Sequence, residues 1–244
     1  MPELPEVETV CQGIKPALVG SKFLDVILNR SNLRWPLPSD MPKRLKFSLV
    51  KKVSRRGKYI LIETDNLNTL IIHLGMTGRI IITKDEVSQE DVGAFYHNTA
   101  RNSKILTKVW EKHDHVVFKF VNMKGKEQNL IYNDTRRFGA MDLVKSEAVL
   151  SHKWLRNLGP EPLSSEFSLK YLEKNTPDCL FLDIEMPTMD GFQFIKNLKN
   201  KNFPVVITTA YNQYALKALK NEAIDYLLKP IDSDDLSETI AKIK

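Results

Sequence analysis

The first residues of the chain that could do chemistry are Pro2 and Glu3. Removal of Met1 leaves Pro2 with a free secondary amine. An N-terminal amine has a pKa of about 8, so a useful fraction of it is unprotonated at neutral pH. Such an amine attacks electrophilic carbon and forms an iminium, and the adjacent Glu3 carboxylate is placed to move protons. The same residues also fit an ordinary processed terminus, so the prediction depends on the motifs in the rest of the chain.

Two glycine-flanked turns carry apolar side chains among polar ones. The segment His73-Leu-Gly-Met-Thr-Gly78 contains Met76, and the segment Asn133-Asp-Thr-Arg-Arg-Phe-Gly139 contains Phe138. Glycine lets a backbone approach a ligand closely. By spacing alone, Met76 and Phe138 would also fit core positions. Their polar, glycine-flanked surroundings favour exposed turns that meet another molecule.

Six sequence blocks occur in one order along residues 1 to 176. They are Met1-Pro-Glu-Leu-Pro-Glu-Val-Glu-Thr9, Arg55-Arg-Gly-Lys-Tyr59, His73 to Gly78, Lys112-His-Asp-His115, Asn133 to Gly139 and Leu158-Gly-Pro-Glu-Pro-Leu163. Together they resemble bacterial formamidopyrimidine-DNA glycosylase. The resemblance implies a bifunctional DNA glycosylase and abasic-site lyase of base-excision repair, directed at oxidised purines.

The resemblance implies catalytic roles for three residues. Pro2 is implied to attack the sugar C1′ of a damaged nucleotide, to expel the base and to form a Schiff base that permits strand cleavage by elimination. Glu3 is implied to shuttle protons to the sugar and to the leaving base. Lys58, at a predicted hairpin tip, is implied to reach a phosphate next to the lesion. Without the resemblance, Lys58 would be interpreted as an ordinary solvated lysine.

The resemblance also implies a wedge that enters the DNA. An enzyme that acts on a base inside a duplex extrudes that base, and its side chains fill the vacated space. Met76, Arg136 and Phe138 match the wedge of the family, and Met or Phe can stack where a base was lost.

Further DNA contacts are implied at His73, His113 and Arg137. Arginine suits phosphate because its guanidinium forms a bidentate fork, whereas His113 also fits a surface histidine that binds nothing. The expected partner is damaged double-stranded DNA.

Residues 177 to 244 carry a second set of motifs. The blocks are Leu180-Phe-Leu-Asp-Ile-Glu-Met-Pro-Thr-Met-Asp-Gly191, Val205-Val-Ile-Thr-Thr-Ala210 and Asp225-Tyr-Leu-Leu-Lys-Pro230. They resemble the C-terminal part of a response-regulator receiver domain, which implies a flavodoxin-like α/β fold. By this match Asp183 would be the phosphoacceptor, and Thr209 and Lys229 would contact the phosphoryl group.

Both resemblances are incomplete, and this determines the cofactors that we expect. The glycosylase family continues with the rest of a helix-two-turn-helix and a four-cysteine zinc ribbon, whereas this chain has only Cys11 and Cys179, so no zinc site is expected. The receiver family binds Mg²⁺ through an acidic pair on its first strand. That pair is missing, so phosphorylation of Asp183 is not expected. The missing strands also leave a bare sheet edge, which predicts self-association.

Hydrophobic periodicity predicts the elements that hold the first set of motifs. Val7, Val10, Ile14 and Leu18 predict a helix that ends near Gly20. Alternating patterns then predict strands within 22–30, 48–64, 69–83, 115–133 and 140–145, and the polar residues 84–112 predict a long loop. One helix with many antiparallel strands indicates a β-sandwich or a barrel, and we predict the sandwich.

The pattern changes twice in the remainder of the chain. Helices are predicted from Val149 and again from Ser164, the second stopping at Thr176. Beyond Pro177, strands within 179–184, 204–209 and 225–228 alternate with helices at 191–199, 212–221 and 233–243, which predicts a parallel sheet. The fold class is therefore α+β. The predicted domains are a catalytic β-sandwich at 1–148, a truncated helix-two-turn-helix start at 149–176, and a partial receiver domain, third strand to fifth helix, at 177–244.

The charge of the chain is uneven between these parts. Residues 177 to 244 hold 8 Lys, no Arg and 10 acidic residues, which leaves 28 basic and 20 acidic residues, a net charge of +8, in residues 1 to 176. A basic domain that holds every arginine suits a polyanion such as DNA. No secretion signal or membrane-spanning apolar run is present, so we expect a cytoplasmic protein without a membrane partner.

Three functional hypotheses follow from the sequence. The leading one is the DNA glycosylase and lyase, built on a truncated scaffold that could impair its activity. The second is a chimeric or truncated product without activity, because the motifs change abruptly at Thr176 and are incomplete on both sides. The third is a phosphorelay receiver module, which the missing acidic pair disfavours.

Overall fold

The computed structural model describes residues 2–84, 88–92, 111–162, 164–186, 190–198, 202–211 and 223–243. Within them the α-helices are α1 (Leu4–Leu18), α2 (Met41–Leu45), α3 (Leu169–Lys174), α4 (Gly191–Asn197) and α5 (Ser233–Ile243). The strands are β1 (Lys22–Leu28), β2 (Val50–Arg56), β3 (Tyr59–Thr64), β4 (Asn68–His73), β5 (Gly78–Lys84), β6 (Ser88–Val92), β7 (Asp114–Val121), β8 (Glu127–Asp134), β9 (Ala140–Lys145), β10 (Leu180–Asp183), β11 (Val205–Thr209) and β12 (Asp225–Leu228). The chain divides into two compact units, Met1–Gly159 and Pro160–Lys244.

The first unit is a β-sandwich made of two antiparallel sheets. One sheet has the order β1-β7-β8-β5-β6 and the other the order β2-β3-β4-β9. Alternate residues of both sheets point into one core, whose largest fully buried side chains include Phe23, Phe118, Phe120 and Tyr132. The α+β class and the sandwich predicted from the alternating pattern are confirmed.

The N-terminal helix completes the core of this unit. The buried residues of α1 are Val7, Val10, Cys11, Ile14 and Leu18, which is the spacing that the sequence predicted. They join the same cluster as the inward side chains of the two sheets. The helix ends before Gly20, whose φ of +81° suits the left-handed conformation that follows many helices.

The predicted loop over residues 84–112 is wrong at one place. Residues 88–92 form β6, an edge strand paired with β5 from Ile80↔Val92 to Lys84↔Ser88. An edge strand needs only backbone hydrogen bonds on one side, so a polar segment without hydrophobic alternation can form one. Residues 85–87 and 93–110 of that prediction lie outside the described residues.

The prediction of a helix from Val149 is also wrong. A short 3₁₀ helix at Ser146–Ala148 leads into turns, in which His152, Leu155 and Leu158 each donate a backbone N–H to the residue three positions earlier. Bonds of this spacing close 3₁₀ turns rather than α-helix. Val149 and Leu155 are nevertheless buried against the outer face of the four-stranded sheet, so the apolar pattern was real and its period was misassigned.

The helix predicted from Ser164 begins later, at Leu169. Ser168 is its N-cap, because its side-chain oxygen accepts the backbone N–H of Tyr171 at 3.2 Å. The compact first unit takes in residues up to Gly159, and the rest of the segment predicted as a truncated helix-two-turn-helix falls in the second unit.

The second unit contains a parallel sheet of order β10-β11-β12. Its core joins Leu182 and Ile207 of the sheet to Phe192 and Ile195 of α4 and Leu172 of α3. The predicted strand and helix alternation is confirmed over the described residues, while the helix predicted at 212–221 lies outside them. No helix among the described residues is long and apolar enough to cross a membrane.

Candidate active site

The position of α1 brings the N-terminus of the chain to one end of the sandwich. Near the C-terminal end of the helix, Gly20 donates its N–H to the carbonyl of Val50, at the start of β2. In the second turn of the helix, Glu8 accepts a 2.6 Å ion pair from Nε of Arg55, near the end of β2. The helix therefore runs along β2, and its first residues lie towards the β2–β3 turn.

Glu3 forms the N-cap of this helix. Its side chain accepts the backbone N–H of Glu6, while the Glu6 side chain accepts the backbone N–H of Glu3 in return. This capping box satisfies amide donors that the first turn leaves free. Pro2, immediately before it, is half-buried. The cap thus fixes the backbone that joins the predicted nucleophile to the predicted proton shuttle.

The β2–β3 turn that carries Lys58 is held from two sides. Arg55 donates from one guanidinium nitrogen to the Gly57 carbonyl at 2.8 Å while its Nε binds the helix. Arg56 donates to the carbonyls of Leu158 and Gly159. Lys58 itself is half-buried and makes no hydrogen bond or ion pair with any residue that the structure describes. Its ammonium is thus available at a fixed turn.

His73 ends the strand next to this turn and contacts the same group of residues. Tyr59 pairs with His73 in the ladder, and their rings lie 4.9 Å apart. The Gly75 N–H donates to His73 Nδ1 at 3.1 Å, so the neutral imidazole carries its proton on Nε2. Burial, with the positive charges of Lys58 and Arg34, lowers the pKa of His73. His73 is therefore a neutral Nε2–H donor at physiological pH.

The two glycine-flanked loops, residues 74–77 and 135–139, pack backbone against backbone. A Cβ atom at Gly75, where φ is +66°, would overlap the backbone of Phe138 and Gly139. The two apolar side chains of the predicted wedge are exposed, Met76 by 41% and Phe138 by 43%. The close packing of the loops therefore brings two exposed apolar side chains to one end of the sandwich.

Basic side chains surround this pair of loops. The guanidinium of Arg136 lies 4.7 Å from the centre of the Phe138 ring. Arg137 is exposed and has a φ of +59°, a conformation uncommon outside glycine. His113 is half-buried, with its ring 6.4 Å from that of His115. The structure thus places every predicted DNA-contacting residue on, or next to, the same end of the first unit.

Two residues of this region were not predicted as site residues. Arg55 joins the helix to the Lys58 turn, and its presence in the Arg-Arg-Gly-Lys-Tyr block was the available signal. Arg34 donates its backbone N–H to Gly139 at 3.1 Å and stacks on Trp35. No spacing or motif identifies Arg34, because a loop far away in sequence brings it there.

The comparisons with known proteins identify the family of the first part of the chain. Residues 1–141 match the model of the formamidopyrimidine-DNA glycosylase N-terminal domain. The formamidopyrimidine-DNA glycosylase of Dinoroseobacter shibae is 44% identical over 172 residues, which cover 70% of this chain. The chain belongs to the formamidopyrimidine-DNA glycosylase family. A relative from Ruegeria pomeroyi is 42% identical over 182 residues, or 72% of the chain.

Solved structures of the family show the same fold. The Lactococcus lactis formamidopyrimidine-DNA glycosylase bound non-covalently to DNA containing an AP site matches with a TM-score of 0.54 and 28% identity, over 71% of this chain and 57% of that one. A complex of the same enzyme with tetrahydrofuran-containing DNA and an inhibitor matches with a TM-score of 0.55. The chain spans about half the length of its curated glycosylase relatives, 55% to 58%.

The C-terminal part matches a different family model. Residues 151–241 match the response regulator receiver domain. Asp183 and Thr209 are the last residues of adjacent parallel strands, and Lys229 follows the third strand. All three therefore lie at the C-terminal ends of the strands. The Lys229 ammonium lies 2.6 Å from Asp183 Oδ2, and Thr209 Oγ1 accepts the Tyr211 N–H at 3.3 Å.

A metal of either family would need a group of side chains that could act as its ligands. In the part that the structure describes, no three His, Cys, Asp or Glu side chains lie close enough together to hold a metal ion. Cys11 is buried, and burial with the charge of Glu8 raises its pKa to about 11, whereas Cys179 lies in the other unit. At Asp183 the group nearest to the carboxylate is a lysine ammonium rather than a second acid.

Proposed function

We propose that the chain is a DNA glycosylase with abasic-site lyase activity that acts on oxidised purines in double-stranded DNA. One observation carries the proposal. The helix that begins at Leu4 lies along β2, so Pro2 and Glu3 stand at the end of the sandwich that also holds Lys58 and the loops with Met76 and Phe138.

The proposed chemistry begins at Pro2. Its nitrogen lone pair attacks C1′ of the damaged nucleotide, and the bond from C1′ to the base breaks as the base takes up a proton. Opening of the sugar ring then gives an iminium between Pro2 and C1′. Loss of a proton from C2′ expels the 3′ phosphate by elimination. These steps need an amine and a proton carrier that belong to the chain, so we propose no cofactor.

Glu3 and Lys58 have distinct roles in this proposal. Glu3 moves protons to the sugar and the base, and its place beside Pro2 is fixed by the capping box with Glu6. Lys58 is a cation held at a rigid turn, where it stabilises the phosphate next to the lesion. His73 adds a neutral N–H donor beside it, which suits a phosphate oxygen.

The two loops are proposed to open the duplex. Met76 and Phe138 are exposed apolar side chains that can stack between bases, while Arg136, Arg137 and His113 bind the backbone or the orphaned base. Related structures contain DNA with an AP site and, in a Lactococcus lactis mutant, DNA with Fapy-dG. Damaged duplex DNA is accordingly the proposed partner, and the cytoplasm the proposed compartment.

Borohydride trapping tests the proposal, because hydride reduces the iminium to a stable covalent adduct. The chain is prepared with its natural N-terminus and a C-terminal tag, and also with the tag fused directly to Pro2. We expect the first form to give an adduct with duplex DNA containing an abasic or an 8-oxoguanine site. The second form has no amine at Pro2 and gives none, although the remainder of the chain is identical.

A full-length family member run in parallel provides the positive control. An adduct from that enzyme and none from this chain would contradict the proposal and favour a chimeric product without activity.

A phosphorelay role is not proposed, because the acidic pair through which the receiver family binds Mg²⁺ is missing from the sequence. A stable aspartyl phosphate on Asp183 after incubation with acetyl phosphate and Mg²⁺ would contradict that choice.

A further inference from the structure

Asp134 is a fully buried carboxylate that none of the proposed catalytic or DNA-binding roles uses. It is 0% exposed and ends β8, directly before loop 135–139. One carboxylate oxygen, Oδ1, accepts the Thr77 hydroxyl at 2.5 Å and the Arg136 N–H at 3.2 Å. The other oxygen, Oδ2, accepts the Gly139 N–H at 2.9 Å. A single side chain thus binds both loops that carry the proposed wedge.

Thr77 and Tyr132 extend this network between the loops. The Thr77 hydroxyl oxygen also accepts the Arg136 N–H at 3.1 Å, so the two loops are joined directly as well. The Tyr132 hydroxyl lies 3.4 Å from Asp134 Oδ2 and 3.3 Å from the His73 carbonyl oxygen. Burial, and then the charge of Asp134, raises the pKa of Tyr132 well above its ordinary value, so the phenol remains a donor.

The backbone of Asp134 is fixed from the neighbouring strand. Its carbonyl lies 2.6 Å from Nε2 of the buried His115, and its N–H donates to the His113 carbonyl at 3.1 Å. Burial lowers the pKa of His115, so the imidazole is neutral and donates through Nε2. Both the backbone and the side chain of Asp134 are therefore held in place. Its carboxylate has little freedom to move with one loop unless the other loop moves too.

The surroundings of the Asp134 side chain favour a carboxylate over a neutral amide. A buried charge is costly unless donors satisfy it, and the backbone N–H groups of Arg136 and Gly139 lie in a loop where they have no partner in a regular ladder. Four donors reach the two oxygens of Asp134, from Thr77, Arg136, Gly139 and Tyr132. A neutral amide offers only one acceptor oxygen, and its NH₂ group would face the Gly139 N–H.

We propose that Asp134 is a positioning residue that couples the two loops, so that Met76, Arg136 and Phe138 enter a duplex as one rigid unit. The inference rests on the proposed glycosylase function. Asp134 takes no part in the Pro2 chemistry. It acts only through the wedge, so it controls extrusion of the damaged nucleotide and leaves the reaction of an already accessible sugar unchanged.

Asp134→Asn tests this with two DNA substrates. The variant retains side-chain volume and one acceptor, but places a donor against the Gly139 N–H. We expect its trapping rate on duplex DNA with 8-oxoguanine to fall at least tenfold relative to the unmodified chain. On a single-stranded oligonucleotide with an abasic site, where nothing has to be extruded, the rate should remain within twofold.

Thr77→Val provides a milder second variant, because it removes only the hydroxyl that joins the loops. Amide hydrogen exchange of residues 135–140, followed by mass spectrometry, reports on the opposite loop and needs no activity. We expect exchange there to accelerate at least threefold. Thr9→Val is the matched control, since the Thr9 hydroxyl bonds to the Pro5 carbonyl within α1. It should leave residues 135–140 unchanged.

The outcomes separate this inference from the proposed function. If the unmodified chain traps neither substrate, the proposed function fails, and hydrogen exchange in Thr77→Val alone decides the coupling. Equal loss on both substrates in Asp134→Asn would overturn the inference, because Asp134 would then support the whole domain or the chemistry. No loss on duplex DNA, or unchanged exchange in Thr77→Val, would overturn it as well.

Discussion

The two units hold their candidate sites in different ways. In the first unit, residues from the N-terminal helix, the Lys58 turn and the two glycine-flanked loops lie at one end of the sandwich. Polar contacts hold each of these segments, from the exposed helix cap to the buried bond between Gly139 and Asp134. In the second unit, three residues stand at the ends of three parallel strands, and the first of those strands, β10, is an edge of its sheet.

This difference shows what a site needs beyond its reactive side chains. The Asp183 carboxylate lies at the end of its strand and pairs with the Lys229 ammonium. The reactive residues of the first unit are supported by Arg55 and Asp134, neither of which reacts in the proposed mechanism. Motifs indicate a candidate site in each unit, and contacts from residues that do not react surround the proposed site of the first unit.

The largest expected effect is that of Glu3→Gln. Gln retains an acceptor for the Glu6 N–H, so the helix cap is preserved while the proton carrier is lost. We expect excision of 8-oxoguanine to fall by about a hundredfold or more, the usual contribution of a general acid or base. Gel-based excision kinetics measure this. Trapping at a preformed abasic site should fall much less, and unchanged excision would refute the role of Glu3.

Replacing Arg55 tests how much a supporting contact contributes to the stability and the proposed reaction of the first unit. Arg55→Met removes the bonds to Glu8 and to the Gly57 carbonyl. We expect a loss of about 2 kcal/mol in the free energy of unfolding, typical of a partly buried charged hydrogen bond, and slower trapping because Pro2 and Lys58 lose their common anchor. Urea titration followed by tryptophan fluorescence reports on the first unit, which contains all three Trp residues.

Lys52→Met is the matched control for Arg55→Met. Lys52 lies on the same strand and pairs with Glu63 at 3.6 Å in an exposed position. Its replacement should cost less than about 1 kcal/mol and leave trapping unchanged. If the two variants lost equal stability, the anchoring role of Arg55 would be wrong.

The units should also differ in their response to acid. Burial is the main reason why the pKa values of His73 and His115 lie below the ordinary 6.5. The folded state then binds fewer protons than the unfolded state, so the stability of the first unit falls as the pH drops below about 6.5. Tryptophan fluorescence during urea unfolding at pH 7.5 and 5.5 checks this. An equal midpoint at both values would contradict it.

The second unit contains none of the five histidines, so its stability should not change over that range. Burial of Asp225 opposes its ionisation, but hydrogen bonds from Lys242 and Thr239 outweigh this and lower its pKa from 3.8. The stabilisation from Asp225 is therefore present above about pH 3.8 and is lost only in stronger acid. Segment-resolved hydrogen exchange at pH 7.5 and 5.5, corrected for the intrinsic rate, follows this unit separately.

The smallest expected effect concerns self-association through β10. Phe181 on this edge strand is 44% exposed, and its backbone lacks a neighbour on one side of the sheet that the structure describes. We expect weak association of the full chain at tens of micromolar in sedimentation velocity, reduced by Phe181→Lys. Phe47→Lys, at a 60% exposed phenylalanine of the first unit, is the control. Equal behaviour of the two variants would refute pairing at β10.

Much of the fold was predictable because the physical signals were local. The apolar period of α1 and the alternation in β1 to β5 each report which face is buried, and the structure confirms these elements. The segments at 88–92 and 149–158 were mispredicted for opposite reasons. The first is polar and forms an edge strand paired with β5, while the second is apolar but closes turns of three residues rather than helix.

The candidate site was predictable only as far as motifs extend. Pro2, Glu3, Lys58 and the wedge residues lie in recognisable blocks, and the structure brings their loops to one end. Arg34 could not be found, because only the tertiary fold places its loop beside Gly139. Asp134 lies inside a motif, but its buried contacts with two loops depend on strand register, which the sequence alone does not specify.

The central claim is that the amine of Pro2 is the nucleophile, and mapping of the trapped adduct tests it most directly. The chain is trapped with borohydride on duplex DNA containing an abasic site, digested with trypsin, and the modified peptide is identified by mass spectrometry. We expect the DNA remnant to be attached to the N-terminal nitrogen of the peptide that begins at Pro2. Attachment to Lys58 or to any other lysine would contradict the claim.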